Sequence, residues 1–429
     1  MNEVPEVPGA APAPPVDIFD RCSDPRMADY KAADELGLNP FYREMGSEIG
    51  PTITYDGREA VMLGSNNYLG LTTDPRVKKA AVEAVERYGT GVTGSRLLNG
   101  TLPLHSELEE FLADWVGLPS ALVFTTGYTA NLGLISTLVQ AGDAVFCDSA
   151  AHASLVDGAR LAEGDLRAFR HNRPNSLNRG LRTWRANPAN GGVLVAVDGI
   201  YSMEGDWAPL AEIRALCDQY EARLLVDEAH ALGVVGPEGA GTAAATGVRP
   251  DLVMGTFSKS LASCGGFIAG PPEVITYLRL FCRPILFTAS NVPASLGAAL
   301  AAAKIARAED WRREAVVSLA ARLRKGLTEL GYDAGGDSHS SIVPVHGTDV
   351  LSTGLLWRAL LDRGVYTNCS LPPAVPKPML RTSVMATHSD AQIDRALGAF
   401  AEIAEQGVVD AARERFVGSL ELELDTSPG

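Results

Sequence analysis

Positive charge is scarce in this chain of 429 residues. Lys and Arg total 37 against 52 Asp and Glu, so the formal net charge is −15 and the pI is near 5. A nucleic-acid-binding surface needs a basic footprint to neutralise phosphates, and an anionic membrane surface needs the same. Neither fits this balance. No apolar run approaches the roughly 18 residues that a membrane-spanning helix requires. The six cysteines (Cys22, Cys147, Cys217, Cys264, Cys282, Cys369) form no CxxC pair, and the seven histidines show no HxxxH spacing. A disulfide framework and a zinc site are therefore both unexpected, and the thiols read as those of a reduced, cytoplasmic protein. The start, Met1 to Pro15, lacks the basic-then-apolar pattern of a secretory signal. A P-loop, G-x-x-x-x-G-K-[ST], is missing too, so the helicase-like letters of Val226–His230 (VDEAH) carry no ATPase reading.

What the chain has is a repeated alternation. Short apolar runs at 121–125, 144–147, 166–170, 193–197, 223–226, 252–256 and 266–269 lack polar alternation, as strands buried on both faces do. Helical stretches separate several of them, so the class is α/β with a mostly parallel seven-stranded sheet. The last two runs are too close for a crossover helix, which predicts an antiparallel strand near residue 267. Four segments are expected: a Pro- and Ala-rich disordered tail (1–16), an N-terminal arm (17–60), a large domain (61–292) and a small C-terminal α+β domain (293–429). One long helical region over 294–330 opens the small domain, and the acidic segment after Phe416 is expected to fray.

The chemistry-bearing residues cluster at ends of these runs. Thr126–Asn131 (TGYTAN) joins a strand to a helix; Gly127 allows the turn, and the free N–H groups that follow can hold a phosphate. The plain alternative is an ordinary strand–helix turn. His152 follows another run, where a lone histidine is more often a helix cap or core residue than a catalyst. Asp227 and His230 end a third, where open α/β sheets bind ligands. Lys259, one of only seven lysines, is flanked by Ser258 and Ser260. Most lysines are solvated surface charges, but one that is partly desolvated can attack a carbonyl. Arg381 lies in an apolar run; it suits either a carboxylate ligand or a structural ion pair. Gly89–Gly94 (GTGVTG) has the letters of a dinucleotide fingerprint but follows a helical stretch, so it reads as a substrate-side loop. Individually these signals are weak. In this order they are the parts a pyridoxal phosphate enzyme needs: phosphate donors, a carboxylate for the ring nitrogen, a lysine for the aldehyde and a cation for the substrate carboxylate.

The combination resembles the α-oxoamine synthase family of pyridoxal phosphate enzymes, which includes serine palmitoyltransferase, 8-amino-7-oxononanoate synthase, glycine C-acetyltransferase and 5-aminolevulinate synthase. The likeness spans about Asn39 to Glu405 and rests on SNNYLGL (Ser65–Leu71), GTGVTGSRLLNGT (Gly89–Thr101), HSELE (His105–Glu109), DSAAHAS (Asp148–Ser154), VDEAHALG (Val226–Gly233), TFSKSL (Thr256–Leu261), FTAS (Phe287–Ser290) and LRTS (Leu380–Ser383) followed by MATHS (Met385–Ser389). It implies the aspartate-aminotransferase fold and a homodimer with shared active sites. It further implies that Lys259 bonds the cofactor as a Schiff base and removes the substrate α-proton, that Asp227 pairs with the ring nitrogen, that His152 stacks on the ring and that His230 lies by the ring oxygen. Ser202 belongs beside the cofactor, Gly127, Tyr128 and Thr256 contact the phosphate, and Thr288 reaches the phosphate of the partner subunit. Asn66 and Arg381 face the amino-acid carboxylate. Ser95, smaller than the Thr of 5-aminolevulinate synthases, leaves room for a substrate side chain.

The implied reaction joins an amino acid to an acyl thioester, from coenzyme A or an acyl carrier protein, and releases CO2 and thiol to leave an α-aminoketone. GSRLLNGT and Gly364–Pro376 (GVYTNCSLPPAVP) look most like serine palmitoyltransferase. The alternatives are an aminotransferase, an amino-acid decarboxylase or glycine C-acetyltransferase on the same fold, and a cofactor-free partner subunit retained for assembly.

Overall fold

The computed structural model describes residues 17–414, so the tail over 1–16 and the acidic end after Phe416 lie outside the described residues. The chain divides into two compact units, one up to Tyr42 and the other from Arg43. In the first, Asp17 caps a 3-10 turn (Ile18–Ser23) by accepting a hydrogen bond from the Phe19 N–H, and a helix (Arg26–Glu35) ends before Gly37, which takes the left-handed φ of 67° that terminates helices.

The second unit opens with β1 (Thr52–Tyr55) and β2 (Arg58–Met62). The large sheet follows: β3 (Ser120–Phe124), β4 (Ala144–Asp148), β5 (Asp165–Phe169), β6 (Val193–Asp198), β7 (Arg223–Asp227), β8 (Leu252–Thr256) and β9 (Gly266–Gly270). Its spatial order is β3-β9-β8-β7-β6-β4-β5. The run from β8 to β5 is parallel, and β9 is antiparallel to both β3 and β8, as expected from its closeness to β8. Helices cover both faces. Gly127–Leu138 and Ala153–Leu161 pack on one, with Leu134, Leu155 and Leu225 in that core; Pro174–Arg185 and Leu210–Gln219 pack on the other, with Leu181, Leu224 and Val226. Burying each such Leu or Val contributes about 1.5–3 kcal/mol, so the central strands cannot slip without moving both cores.

Two local expectations are corrected. β5 is not buried on both faces; as the edge strand it exposes Asp165, Arg167 and Ala168. The region 294–330 is not one helix but two, Pro293–Ala308 and Asp310–Glu329, broken at Glu309 (φ −102°, ψ 83°). Arginines make the break: Arg76 and Arg312 hold the Glu309 carboxylate at 2.6 and 2.8 Å, and Arg313 donates to the Ala306 carbonyl freed at the helix end.

A second sheet, β10 (Ile342–His346), β13 (Met379–Ser383) and β12 (Asn368–Ser370), is antiparallel. The short β11 (Val365–Tyr366) instead runs parallel to β2, tying the early chain to the late chain. Among the described residues no helix is long and apolar enough to cross a membrane.

Candidate active site

The parallel strands end on one edge of the large sheet, and a cavity of about 290 Å³ opens there. Its lining includes Gly127, Tyr128, His152, Asp198, Asp227, His230, Thr256 and Lys259. Strand ends β6, β7 and β8 therefore converge on one small volume residues that lie far apart in sequence.

Asp227 closes β7 and is buried. One carboxylate oxygen accepts the Ala229 N–H at 2.9 Å, and the other accepts the Asn131 amide at 2.8 Å. The second amide hydrogen of Asn131 goes to Ser154 Oγ at 2.9 Å, and Ser154 Oγ lies 2.8 Å from His152 Nδ1. Since the Ser154 backbone N–H also donates to Nδ1, that nitrogen is the acceptor and Nε2 carries the ring proton. His152 is thus both things its sequence allowed: the cap of the helix Ala153–Leu161 and a wall of the cavity.

Across the sheet register from Asp227 lies Asp198, also buried, whose carboxylate accepts the His152 N–H at 3.0 Å. Burial, reinforced by the neighbouring Asp227 charge, pushes Asp198 well above the usual carboxylate range. Burial lowers Lys259 to about 8, against the opposing pull of Asp227. It also holds His230 well below the usual imidazole range, with the charges of Lys259 and Arg381 acting the same way. Several groups here are thereby held toward their neutral forms, the state in which amines and imidazoles move protons.

At the turn between β3 and the helix Gly127–Leu138, Thr126 caps the helix by accepting the Thr129 N–H at 3.0 Å. The first-turn N–H groups of Gly127 and Tyr128 have no intrahelical acceptors, as at any helix start. A Cβ on Gly127 would lie 2.9 Å from Thr256 Oγ1, and one on Gly266 would lie 2.5 Å from the Gly127 Cα. Only glycine at both positions lets this backbone sit against β8 and β9 with its donors open to an anion. The Tyr128 hydroxyl itself donates to Asp157, which leaves its backbone N–H rather than its ring hydroxyl as the open donor.

A third group enters from β13. Arg381 is buried; its Nε donates to the Ser202 carbonyl at 2.6 Å and its Nη2 to the Tyr68 hydroxyl at 3.0 Å. That hydroxyl also lies 2.7 Å from His230 Nδ1 and 3.1 Å from Asn66 Oδ1. Asn66, His230 and Arg381 are therefore joined through Tyr68, and Ser202 through Arg381. Ser95 and Thr288 do not line the Lys259 cavity. They lie together instead, since Ser95 bridges Ala289 and the Ser290 N–H donates to the Gly94 carbonyl. Arg279, on a nearby helix, donates to the buried Glu109 at 2.8 Å.

Tyr68, Asn131, Ser154 and Asp198 were not singled out in the sequence. Tyr68, Asn131 and Ser154 each lie inside a quoted motif, and the signal for Asp198 is its strand-end position, parallel to that of Asp227.

The donor set fits pyridoxal phosphate: open N–H groups beside a hydroxyl for the phosphate, a buried carboxylate, and a desolvated lysine in the same cavity. Fold and site together define a pyridoxal phosphate enzyme of the α/β class. Residues 58–400 match the model of the family described as aminotransferase class I and II, and the chain belongs to that family. It is 45% identical over 399 residues to a serine palmitoyltransferase of Caulobacter vibrioides, covering 92% of this chain and 98% of that protein. It is 41% identical over 380 residues to an 8-amino-7-oxononanoate synthase of Anaeromyxobacter sp. (strain K), covering 88% and 94%. The solved serine palmitoyltransferase of Sphingomonas wittichii superposes with a TM-score of 0.87 at 38% identity, over 92% of this chain and 99% of that one. A high-resolution structure of this enzyme type bound to pyridoxal phosphate matches equally well. Within the family the chain is an α-oxoamine synthase: a pyridoxal phosphate-dependent acyltransferase that condenses an amino acid with an acyl thioester, with loss of CO2.

Proposed function

We propose that the amino acid is L-serine and that the acyl donor is a long-chain thioester of coenzyme A or an acyl carrier protein. The observation that carries this reading is the buried Arg381 guanidinium joined through Tyr68 to the wall of the Lys259 cavity, a carboxylate receptor beside a reactive amine. Near-full-length similarity to serine palmitoyltransferases supplies the choice of serine and acyl length.

Bound here, the cofactor supplies an electron sink for the negative charge that develops at the amino acid α-carbon. Gly127 and Tyr128 offer backbone N–H groups, and Thr256 a hydroxyl, to its phosphate. Asp227 holds a proton at the ring nitrogen. His152 would cover the ring face and His230 would face the ring oxygen. Arg381 and Asn66 take the substrate carboxylate. Lys259, at a pKa of about 8, has an appreciable neutral fraction near pH 7 and removes the α-proton. The buried walls keep water from competing for that proton.

Ser95 and Thr288 complete the site of a second subunit, Thr288 at the phosphate and Ser95 beside the substrate. The working form is accordingly a cytoplasmic homodimer with shared sites. The test is thiol release on mixing purified holoenzyme with palmitoyl-CoA and single amino acids. Release with L-serine is expected, with a matching shift in the visible spectrum. Release with another amino acid in place of serine would overturn the substrate assignment.

A further inference from the structure

Beside the cavity, but outside its lining, lies a second cluster of titratable groups. His171 directly follows the edge strand β5 and its Arg170. Its Nδ1 lies 2.9 Å from Asp148 Oδ1, and its Nε2 lies 2.9 Å from Asp206 Oδ2. A neutral imidazole can donate from only one nitrogen, so two carboxylate contacts call for the imidazolium. Burial alone would lower its pKa, but the hydrogen bonds to Asp148 and Asp206 outweigh that and raise it to about 10. The neighbouring Asn172 repeats the link. Its N–H donates to Asp148 Oδ2 at 2.9 Å, and its amide donates to Asp206 Oδ2 at 2.8 Å and to the Trp207 carbonyl at 3.0 Å. Tyr201 packs edge-on against the imidazole, with ring centroids 4.4 Å apart. With both ring nitrogens engaged by carboxylates, the cluster is an ionic clamp and not a metal site; among the described residues no group of three or more His, Cys, Asp or Glu is placed for a metal.

The clamp grips two pieces of backbone. Asp148 ends β4, and its Oδ1 accepts the Ala150 N–H at 2.8 Å. Asp206 belongs to the turn after β6, which is closed by Tyr201 N–H to Asp206 O at 3.0 Å and Gly205 N–H to Tyr201 O at 2.9 Å. At the tip of that turn the Ser202 carbonyl accepts Arg381 Nε. The turn also touches the loop that leads into β10, where the Asp337 N–H donates to the Gly205 carbonyl at 3.0 Å. A guanidinium on β13 is therefore aimed by a carbonyl whose own position depends on a bond to β5 and β4.

We infer that His171 is a positioning residue for the substrate carboxylate: through Asp206 it fixes the turn whose Ser202 carbonyl orients Arg381. This rests on the reading of Arg381 as the carboxylate receptor. It assigns His171 a part in amino-acid affinity, although it touches neither the cavity nor Lys259.

The test uses the pyridoxal phosphate-loaded enzyme and two variants, His171→Gln and Asp206→Asn, each titrated by visible absorbance with L-serine and with ethanolamine, which is serine without its carboxylate. The expected result in both variants is a roughly tenfold rise in the apparent Kd for L-serine, with ethanolamine binding and cofactor retention unchanged. His171→Gln should add little in an Arg381→Lys background, because both act through one guanidinium. Should His171→Gln fail to fold, Asp206→Asn carries the same comparison. Unchanged serine affinity in a folded variant, or an equal loss for serine and ethanolamine, would overturn the inference. A wild-type enzyme that answers another amino acid but not serine overturns only the substrate assignment, and the comparison is then made with that amino acid and its decarboxylated amine. A wild type that answers none overturns the functional reading and this inference together.

Discussion

Two clusters at the same edge of one sheet treat charge in opposite ways. In the Lys259 cavity, burial pushes groups toward neutrality: Lys259 falls to about 8, His230 falls well below its ordinary value and Asp198 rises. In the His171 cluster, opposite charges meet at hydrogen-bond distance and stay ionised: His171 rises to about 10, and hydrogen bonds from His171 and the backbone hold Asp148 down despite its burial. The difference lies in partners rather than depth. Asp148 and Asp198 are about equally buried, but one faces an imidazolium and the other faces Asp227. Groups left short of counter-charge can exchange protons with a substrate, whereas groups fully paired can only hold geometry.

The largest effect expected on the reactive side is at Lys259. Lys259→Ala removes the amine proposed to take the α-proton and should lower turnover on the order of 10⁴-fold or more, while Arg381 and the His171 clamp remain in place. Steady-state thiol release checks it, and a loss under tenfold would show that another base serves. Asp227→Ala comes next. It should keep the fold and lose most α-proton exchange, by about a hundred- to a thousandfold, read as deuterium uptake from solvent into the amino acid. Wild-type exchange in that variant would refute its role at the ring nitrogen.

The cavity side of this contrast is legible in the sequence; the clamp side is not, and for a physical cause. The strands were legible because β4, β6, β7, β8 and β9 are buried on both faces and so read as unbroken apolar runs. β5 gave the same reading but became an edge, because the position of a strand within a sheet is not written in the strand itself. Lys259, Asp227 and His152 stood out because each follows such a run. Tyr68 did not, since its partners His230 and Arg381 lie 162 and 313 residues away in sequence. The His171 clamp was hidden for the same reason: an isolated histidine gives no sign of carboxylates 23 and 35 residues away.

The clamp can be separated from the cavity by pH. His171 has a folded pKa of about 10 against about 6.5 when unfolded, so the folded state binds the extra proton between those values. Its contribution to stability is full below pH 6.5 and is lost as pH rises through 10. Lys259 in the cofactor-free protein works the other way: lowered from 10.5 to about 8, it penalises the fold below pH 8, and the penalty lifts as pH rises to 10.5. The stability difference between wild type and His171→Gln should therefore shrink by about 1.4 kcal/mol per pH unit across pH 6.5–10, because groups common to both proteins cancel. Denaturant unfolding at four or five pH values measures it. A pH-independent difference would mean that Asp148 and Asp206 are held by something other than an imidazolium.

The smallest effect should fall where the two regions meet, at Tyr68. Its hydroxyl has one proton and three neighbours: Arg381, which donates to it, and His230 Nδ1 and Asn66 Oδ1, which compete for its proton at 2.7 and 3.1 Å. The shorter contact favours donation to His230, which leaves the His230 proton on Nε2 and available as a donor. Tyr68→Phe removes that lock and strips Arg381 Nη2 of a buried acceptor at the same time. Serine affinity and the cofactor spectrum should therefore change together, each by about three- to tenfold in apparent Kd. That joint response is what distinguishes Tyr68 from His171, whose loss should weaken serine alone. If Tyr68→Phe shifted only serine affinity, the link between His230 and Arg381 would be structural contact without chemical coupling, and the two regions would be more independent than their shared hydroxyl implies.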